Sequence, residues 1–399
     1  MKPITIKQIK AFCTRPAGFN LVVVRVDTSE AGLYGYGCAT YTYRYSAVAD
    51  IIENYLQPLL IGRDVSQIED IWQMLNVNSY WRSGPVVNNA ISGIDMALWD
   101  ILGKRAGLPL YALLGGKSRA AIPVYRYAEH HDLNILTEQV KALMNDGARY
   151  IRIQRGFTPV ETQKSAPANS PKGFYIDPSR YCRETVEMFA HIRKECGEEV
   201  ELCHDVHERI PVNKALELAK LLEPYHPLFL EDLVSPDQYE WLKPIGAQTS
   251  ICIAQGELCV NPTEWENMIK NRTIHLMRTH MSQIGGLTPA RKQAAFCEQF
   301  GVKMAFHCPP DGSPIGHAVN MHLDLAIQNL GIQEWPGLDD ILYEMFPGAP
   351  IVKGSYAYIK DTPGIGVEFN EALAKEYPAR NIETPWIEMR LPDGTIQKP

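Results

Sequence analysis

The sequence predicts an α/β protein in which a (β/α) barrel follows an amino-terminal α+β domain. Two observations predict the barrel: eight short apolar runs recur from about residue 122, and amphipathic segments separate most of them. A third observation predicts the preceding domain, because the first 120 or so residues combine alternating, β-branched runs with longer segments of helical periodicity.

The first domain, residues 1–120, is expected to begin with strands and end with helices. The runs ITIKQIKAFCT and FNLVVVRVDT alternate as strands do, and LYGYGCAT follows after the turn SEAG, which predicts a hairpin or meander. Apolar residues then recur at helical spacing in VADIIENYLQPLLIG, QIEDIWQML and VNNAISGIDMALWDILGKRAG. The last helix is expected to stop at Gly107, because Pro109 follows closely.

The barrel, residues 121–335, is predicted from strands that alternate with helices about eight times. Typical helical segments are NKALELAKLLEPY and TPARKQAAFCEQFG. This alternation favours a barrel over an open parallel sheet. The predicted strands are IPVYRYA, YIRIQ, ELCHDVH, LFLEDLV, SICIAQGE, IHLMRTHMS, KMAFHCP and GIQEW.

Two segments lie outside this repeat. The stretch at roughly residues 157–180, after the second barrel strand, is long, polar and proline-rich, which is typical of a functional lid or a disordered loop. The final segment, residues 336–399, is rich in turns, and we expect it to pack back on the first domain and the barrel.

Charge and cysteine content argue against several classes of protein. The chain has 39 basic and 46 acidic residues, and this net charge of −7 argues against a basic nucleic-acid-binding surface. The nine cysteines are scattered and form no C-x-x-C pair, which favours free thiols in a reducing cytoplasm. The amino terminus lacks the apolar core of a signal peptide, and no apolar run is long enough to span a membrane.

Three acids, Asp205, Glu231 and Glu257, follow one another at equal intervals of 26 residues. One β/α unit has about this length, so the spacing predicts equivalent positions at the ends of successive strands. Three carboxylates at the carboxyl end of a barrel suit a hard cation such as Mg²⁺, which keeps open positions for substrate oxygens. Any one of these acids could instead be a solvated loop residue or a helix cap. That alternative explains three acids at equal spacing less well.

The neighbours of these acids are assigned by strand alternation. Only one of Glu231 and Asp232 is expected to face the barrel axis, and the register selects Glu231, which leaves Asp232 with structural contacts. In LCHDVHER, the same period of two puts His207 on the face of Asp205, while His204 points away and is structural. An imidazole beside a metal-bound substrate suits a general acid or base; the alternative is a supporting, hydrogen-bonded histidine.

Polar residues at the ends of other strands are expected to complete a ring around the cation. Arg278 in LMRTH is a candidate partner for a substrate carboxylate or for a metal ligand. His307 in AFHCPPDG has Asp311 four residues later as a candidate to orient it. Glu334 in GIQEW and Arg152 in YIRIQR end two further strands. Structural ion pairs at the barrel mouth are the alternative for each of them.

Motifs along nearly the whole chain are similar to those of a known family. GIDMALWDILGKRAGLPLYALLGG and the three acids behind a mixed first domain resemble the enolase superfamily. More narrowly, the chain resembles the mannonate dehydratase family, which includes proteins named starvation-sensing. The resemblance implies an enolase-type modified (β/α)8 barrel, (β/α)7β-like, with an N-terminal α+β capping domain. The motifs that carry it are HDVHER, LFLED, GEL, MRTHMSQIGGLT, HCPPDGSPIGHA, NLGIQEW, PGIGVEFNEALAKEYP and RLPDGT.

The resemblance also implies roles for these residues. It implies Mg²⁺ as the cofactor, bound by Asp205, Glu231 and Glu257. It implies that His207 donates a proton to the departing hydroxyl and that Arg152 partners a base tyrosine. The residues that it places around an acid-sugar ligand are Arg278, His307, Asp311 and Glu334.

The chain departs from the family at the base and at sugar contacts rather than at the metal ligands. No tyrosine follows in TPVETQKSAPANSPKG, and Tyr175 in GFYIDP resembles a different family position, so His307 or a lid residue is the candidate base. Thr42 stands where the family has a cap asparagine, and Tyr127 where it has a substrate-contacting histidine. The closing tryptophan is missing from the terminus TIQKP.

The implied reaction is the dehydration of a sugar acid such as mannonate or gluconate to a 2-keto-3-deoxy acid through an enediolate. Two alternatives stay open. One is a racemase, epimerase or other enolate enzyme, in which His207 and His307 exchange a proton on opposite faces. The other is a family member with little or no activity that binds metabolites or regulates. We expect a small sugar acid as the ligand, no nucleic-acid or membrane partner, and a homo-oligomer.

Overall fold

The computed structural model describes residues 3–155, 166–381 and 388–397, and it confirms the predicted α/β fold. The cap domain begins with an antiparallel meander in the order β1-β2-β3, as the sequence predicts. The strands are β1 (Ile6–Thr14), β2 (Leu21–Thr28) and β3 (Tyr34–Cys38).

The cap sheet is buried on both faces, because alternate residues of β2 enter two different cores. Val22, Val24 and Val26 pack against the helices of the cap. Leu21 and Val23 point the other way and join the main core, which is built largely from the barrel and its helices. Strand alternation therefore attaches the cap to the barrel through its central strand.

The cap helices follow the sheet and pack closely on it. The longest ends at Gly107, whose φ of 68° is the left-handed conformation expected at the predicted stop. A β-carbon added at Gly37 would lie 2.0 Å from the carbonyl oxygen of Gly93, so glycine permits this close strand–helix approach. The helices are α1 (Tyr45–Asp50, continued by a π-helical turn at Ile51–Leu56), α2 (Gln57–Leu60), α3 (Ile68–Asn78), α4 (Pro85–Ala106) and α5 (Leu110–Leu113).

Eight parallel strands form the barrel, each within or overlapping a predicted run. The barrel closes where the Met304 amide donates to the Asn329 carbonyl at 2.8 Å and the Gly331 amide donates to the Met304 carbonyl at 2.7 Å. A short strand outside the barrel, β6 (Phe174–Tyr175), lies between β5 and β7. The barrel strands are β4 (Ile122–Glu129), β5 (Tyr150–Gln154), β7 (Glu201–Asp205), β8 (Phe229–Glu231), β9 (Ile253–Gln255), β10 (Leu276–Met277), β11 (Lys303–Met304) and β12 (Gln333–Glu334).

Helices connect successive barrel strands and cover the outside of the barrel. Within the described ranges, none of the helices combines the length and apolar composition that a membrane crossing requires. Short 3-10 turns lie at Glu223–Tyr225 and Pro236–Trp241. The helices are α6 (Leu133–Asn145), α7 (Pro178–Cys196), α8 (Val212–Leu222), α9 (Leu242–Gly246), α10 (Pro262–Lys270), α11 (Leu287–Gln299), α12 (Pro314–Ala326), α13 (Asp340–Met345) and α14 (Glu371–Ala374).

The interior of the barrel is a packed core rather than a channel. Asp205 and Glu231 each lie two residues beyond a member of this core, so they occupy the next layer towards the carboxyl ends of the strands. The core therefore forms the floor of the site. Its buried members, contributed by most of the barrel strands and the residues beside them, are Tyr125, Cys203, Phe229, Ala254, Leu276, Ala305 and Ile332.

The carboxyl-terminal segment contacts both the cap and the barrel. The hairpin of β13 (Ile351–Lys353) and β14 (Tyr356–Tyr358) pairs antiparallel with β4. The Arg15 amide of the cap donates to the carbonyl of Tyr377 at 2.7 Å. The predicted domain limits at residues 120 and 335 stay predictions.

The predicted lid at residues 157–180 lies partly outside the described residues and stays a prediction. From residue 166 onward the chain is described, and β6 pairs in parallel with β15 (Met389–Arg390) near the carboxyl terminus. The Ile176 amide extends this pairing by donating to the carbonyl of Arg390 at 2.7 Å.

A buried carboxylate fastens the cap to the barrel. Asp95 of α4 accepts hydrogen bonds from the backbone amide of Thr288, at 2.9 Å, and from the Thr288 hydroxyl, at the start of α11. Burial raises the pKa of Asp95 to about 7, and the bonds from Thr288 oppose this rise. The Thr288 hydroxyl thus satisfies an oxygen that has no access to water.

Thr288→Val should destabilise the protein, because the isosteric change removes the hydroxyl donor and leaves the Asp95 oxygen buried without it. We expect a loss of about 1–3 kcal/mol in the free energy of unfolding, measured by urea denaturation. Thr288→Ser keeps the donor and should retain most of the stability. Equal stability of the Val variant and the native protein would contradict this role.

Candidate active site

The structure brings Asp205, Glu231 and Glu257 together at the carboxyl ends of the strands. Each contributes a carboxylate oxygen, and these oxygens all lie within 4.8 Å of one another. Asp205 and Glu231 are buried, and Glu257 is partly exposed. The Oε2 atom of Glu231 is buried and has no hydrogen-bond partner among the described residues. An oxygen in this situation is suited to bind a cation.

Although the three acids are equally spaced in the sequence, they do not occupy equivalent positions relative to the ends of their strands. Asp205 and Glu231 pair directly across β7 and β8, as expected. Glu231 pairs with Ala254, however, so Glu257 lies three residues further, beyond the end of β9. The expectation of three equivalent positions is therefore wrong for Glu257. It returns to the cluster through a turn at Gly256, whose φ of 130° favours glycine.

Asp232 supports this turn. Its Oδ1 atom accepts a hydrogen bond from the Gln255 side chain at 2.8 Å and a longer one from the Gly256 amide at 3.5 Å. Asp232 itself has a φ of 44°, so its backbone leaves the strand conformation directly after Glu231. These contacts agree with the structural role that the sequence predicts, and they also fix the segment that leads to Glu257.

His207 lies beside Asp205, but strand alternation does not place it there. The strand β7 ends at Asp205, and His207 has a φ of 50°, so the period-of-two argument is wrong. The His207 Nε2 atom lies 2.6 Å from Asp205 Oδ2. Burial acts to raise the pKa of Asp205, but His207 lowers it far below its ordinary value.

His204, in contrast, is buried among structural partners, as the sequence predicts. Its Nδ1 atom lies 2.8 Å from the carbonyl oxygen of Ile153, and its Nε2 atom lies 2.8 Å from the hydroxyl of Tyr181. Both ring nitrogens are therefore used within the protein.

Arg278 lies beneath the carboxylates and has no exposed surface. Its guanidinium donates to Glu231, to Glu334 Oε2 at 2.7 Å and to the Ala305 carbonyl at 2.8 Å. Glu334 is equally buried and also accepts from the Cys308 amide at 2.8 Å. The expected substrate contacts of Arg278 and Glu334 stay predictions. Arg278 holds a carboxylate of the cluster, which is the other role considered for it.

Arg152 and Tyr127 form a second layer of this network. The Arg152 Nη1 atom lies 3.2 Å from Asp205 Oδ2, and its guanidinium lies 3.8 Å from the centre of the Tyr127 ring. The Tyr127 hydroxyl donates to Glu334. Burial, together with Glu334, raises the pKa of Tyr127 well above its ordinary value despite the nearby Arg152. Tyr127 is thus held in its protonated form.

His307 reaches the cluster from the other end. Its Nε2 atom lies 3.1 Å from Glu257 Oε2. Its Nδ1 atom has no hydrogen-bond partner among the described residues, so the expectation that Asp311 orients it is wrong. Burial raises the pKa of the half-buried Asp311 to about 6, and the charge of Glu334 adds to this rise.

His280 is a residue of the barrel mouth that the sequence argument missed. Its ring centroid lies 5.1 Å from that of His307. The stretch LMRTH contained the signal, because His280 follows Arg278 by two residues at the end of the same predicted strand.

Two residues at family departures are engaged elsewhere. Thr42 is buried in the cap, where its hydroxyl accepts a hydrogen bond from the Asn20 amide at 3.0 Å. The Tyr175 hydroxyl donates to the carbonyl of Pro171 at 2.5 Å. Neither contact involves the carboxylate cluster.

The charge of the cluster fits a divalent cation. Burial raises the pKa of Glu231 to about 7, and Asp205 and Glu334 add to this rise, while Arg278 opposes it. Burial and the neighbouring carboxylates also raise the pKa of Glu257 well above its ordinary value. A cation among these oxygens would favour the ionised forms, and an all-oxygen donor set suits Mg²⁺.

Comparison with known proteins identifies the family. Residues 6–115 match the family model of the mandelate racemase / muconate lactonizing enzyme N-terminal domain, and residues 136–373 match the enolase C-terminal domain-like model. A D-galactonate dehydratase family member from Enterocloster bolteae is 48% identical, and one from Pantoea ananatis is 47% identical, each over all of both chains. The chain belongs to the D-galactonate dehydratase family of the enolase superfamily.

Solved structures agree with this assignment. An enolase from Pantoea ananatis, crystallised with bound D-gluconate and magnesium, is 47% identical and matches with a TM-score of 0.96 over 99% of this chain and 100% of that chain. A solved structure from Salmonella enterica serovar Typhimurium, 24% identical, matches with a TM-score of 0.83 over 94% of this chain and 99% of that chain, which shows the shared fold.

These comparisons confirm the resemblance to the enolase superfamily and, at the level of the family, the expected lyase class. The relatives are named as members of the D-galactonate dehydratase family, and the narrower resemblance to mannonate dehydratases stays a prediction. Family membership and the cap-and-barrel fold are thus established, while the sugar acid and the residue roles are matters for proposal.

Arg278→Met should destabilise the protein strongly, because it leaves the carboxylates of Glu231 and Glu334 buried without the guanidinium that both of them bind. Removing one partner of a buried ion pair costs roughly 3–5 kcal/mol, which chemical denaturation measures directly. Arg183→Met, at an exposed position, is the matched control and should change stability by less than about 0.5 kcal/mol. Similar effects of the two changes would show that Arg278 does not balance the buried acids.

Proposed function

We propose that the protein is a Mg²⁺-dependent dehydratase of sugar acids, of the mannonate or gluconate type, which forms a 2-keto-3-deoxy acid. The observation that carries the proposal is the row of three carboxylates at the barrel mouth with a histidine at each end. D-gluconate and magnesium in the 47%-identical Pantoea ananatis enolase support this choice of ligand and cofactor. The expected homo-oligomer stays a prediction.

The ligand carboxylates are held before any substrate arrives. Asp205, Glu231 and Glu257 would hold Mg²⁺; Arg152 and Arg278 fix the first two through the contacts described above. When bound, Mg²⁺ supplies positive charge that attracts a substrate carboxylate and makes the adjacent C–H bond more acidic. Supporting residues of this kind set the geometry of the ligands that they contact.

Dehydration needs a base at one carbon and an acid at the next. We assign the base to His307: it takes the α-proton, and the electron pair left behind forms a carbon–carbon double bond as the β-hydroxyl departs. His207 protonates that hydroxyl, which leaves as water. The resulting enol then takes up a proton to become the 2-keto-3-deoxy acid. His207 lies at the Asp205 end of the cluster and His307 at the Glu257 end, so two separate groups are present for the two transfers.

A second candidate function is the binding of sugar acids with little or no turnover. The observation that favours it is the environment of Arg152, the residue that partners a base tyrosine in the resembling family. Here its guanidinium lies over Tyr127, whose hydroxyl donates to Glu334 and whose raised pKa makes it unsuited as a base. In this case the carboxylate cluster and its Mg²⁺ would bind the sugar acid without catalysing its conversion.

A library of sugar acids incubated with the protein and Mg²⁺ tests both candidates. A dehydratase yields a keto acid that semicarbazide detects, whereas an epimerase changes the acid without forming a keto acid. Calorimetric binding of a sugar acid that is not converted would favour the second candidate. If the protein neither converts nor binds any sugar acid of the library, the proposed function is contradicted.

Glu231→Gln should weaken Mg²⁺ binding and abolish activity while the fold is retained, because it removes a charged ligand without changing the size of the side chain. Calorimetry measures the affinity for Mg²⁺. We expect it to fall by more than the roughly 10–100-fold that is typical when a residue that only hydrogen-bonds to a metal ligand is changed. Asp232→Asn is the matched control and should be milder, because Asp232 contacts Gln255 and Gly256. If the Gln variant keeps full Mg²⁺-dependent activity, Glu231 is not a ligand of the metal.

The two histidines should differ in solvent exchange. His207→Asn should lose dehydration but still exchange the substrate α-proton with deuterated solvent, because the base is intact. His307→Asn should lose both, each by about 10²–10⁴-fold. Proton NMR of the substrate measures the exchange, and keto-acid formation measures the dehydration. If α-proton exchange is lost in the His207 variant and normal in the His307 variant, then His207 is the base and His307 the acid.

A further inference from the structure

Asn88 of the cap contacts two loops of the barrel mouth. It belongs to the first turn of α4, which begins at Pro85. Its side-chain nitrogen donates to the carbonyl of Val260 at 2.9 Å and to the carbonyl of Gln283 at 2.8 Å. Val260 lies in the loop after β9, and Gln283 lies in the loop after β10. One side chain of the cap therefore joins two of the loops around the carboxylate cluster.

The two carbonyls satisfy a side chain that is costly to place here. Asn88 is only 5% exposed. Asparagine is a poor helix former, because its amide competes with the backbone for hydrogen bonds, and a buried amide without partners is unfavourable. The amide nitrogen has two hydrogens, and each of the two carbonyls can accept one of them. The bonds to the two barrel loops thus offset the cost of burying this side chain.

Glu257 lies in a loop rather than in a strand. The strand β9 ends at Gln255. The Cys259 amide donates to the carbonyl of Gly256 at 3.0 Å, which closes a turn around Glu257. Unlike the other two acids of the cluster, Glu257 is partly exposed. Its carboxylate is therefore positioned by the contacts that hold the two ends of this turn.

The two ends of the turn are held from different domains. Asp232 of the barrel supports its start through the contacts described above. Val260 follows its end, where the Val260 amide donates to the side chain of Glu264 and the Val260 carbonyl accepts from Asn88. The cap thus fixes the backbone three residues after Glu257.

We infer that Asn88 is a positioning residue for Mg²⁺ binding, which holds the loop of Glu257 so that this carboxylate joins the other two. The inference rests on the proposed function, which assigns Mg²⁺ to Asp205, Glu231 and Glu257. A residue that supports a metal ligand typically changes the metal affinity by roughly 10–100-fold when it is replaced. In this way the cap supports a metal site whose proposed ligands all come from the barrel.

Asn88→Leu tests the inference, because leucine has a similar shape and lacks both donors. Calorimetry measures the affinity for Mg²⁺ alone, so the result does not depend on turnover. We expect the affinity to fall by about tenfold. If the Leu variant does not fold, Asn88→Ala removes the same donors without adding bulk and should change the affinity in the same direction. An unchanged Mg²⁺ affinity in the folded variant would overturn the inference.

A double-mutant cycle with Glu257→Gln measures whether Asn88 acts through Glu257. When Glu257→Gln is already present, Asn88→Leu should cause no further loss of Mg²⁺ affinity, because the loop no longer carries a charged ligand. The same tenfold loss in that background would overturn the inference, since Asn88 would then act on the barrel mouth as a whole.

Thr288→Val is the matched control for the attachment of the cap. It removes another hydrogen bond between the cap and the barrel, that between Thr288 and Asp95, and should leave the Mg²⁺ affinity unchanged. An equal loss of affinity in this variant would overturn the inference, because any loosening of the cap would then weaken the site. Failure of the native protein to bind Mg²⁺ would overturn the proposed function and the inference with it.

Discussion

The ion-pair network around Arg278 is the constraint on which the barrel mouth depends. A single guanidinium without exposed surface binds Glu231 on β8 and Glu334 on β12, and so joins strands on different sides of the barrel. Removing charges from water is costly, and the cost is offset only when each charge has well-placed partners. Arg278 therefore fixes the position of Glu231. Among the described residues, the other oxygen of that carboxylate has no hydrogen-bond partner and is available to a cation.

The same network extends through Arg152 to a second carboxylate of the cluster. Arg152 bonds Asp205 and lies over the ring of Tyr127, and the Tyr127 hydroxyl donates to Glu334. Tyr127 is thus part of a layer of connected polar groups with Arg152 and Glu334. The carboxylates of Asp205 and Glu231 are thus each held by a buried arginine.

The cap contributes by burial rather than by a charged contact with the cluster. Its central strand places alternate side chains in the cap core and in the main core, and Asp95 accepts hydrogen bonds from the first turn of a barrel helix. The cap is therefore fixed to the barrel over a large apolar surface and by buried polar contacts such as that of Asp95.

The sequence by itself determined the order of the elements, the eight barrel strands and the identity of the three clustered acids. Local alternation, helical periodicity and the position of an acid at the end of an apolar run are sufficient for these conclusions. Only the tertiary structure decided how each side chain reaches the site. Glu257 depends on a glycine turn beyond its strand, and His207 lies outside the strand whose alternation was used to place it. Arg278 binds both Glu231 and Glu334, because the closure of the barrel brings together strands that are distant in sequence. Such contacts join residues that no local pattern connects, which is why the sequence predicted the members of the site better than their roles.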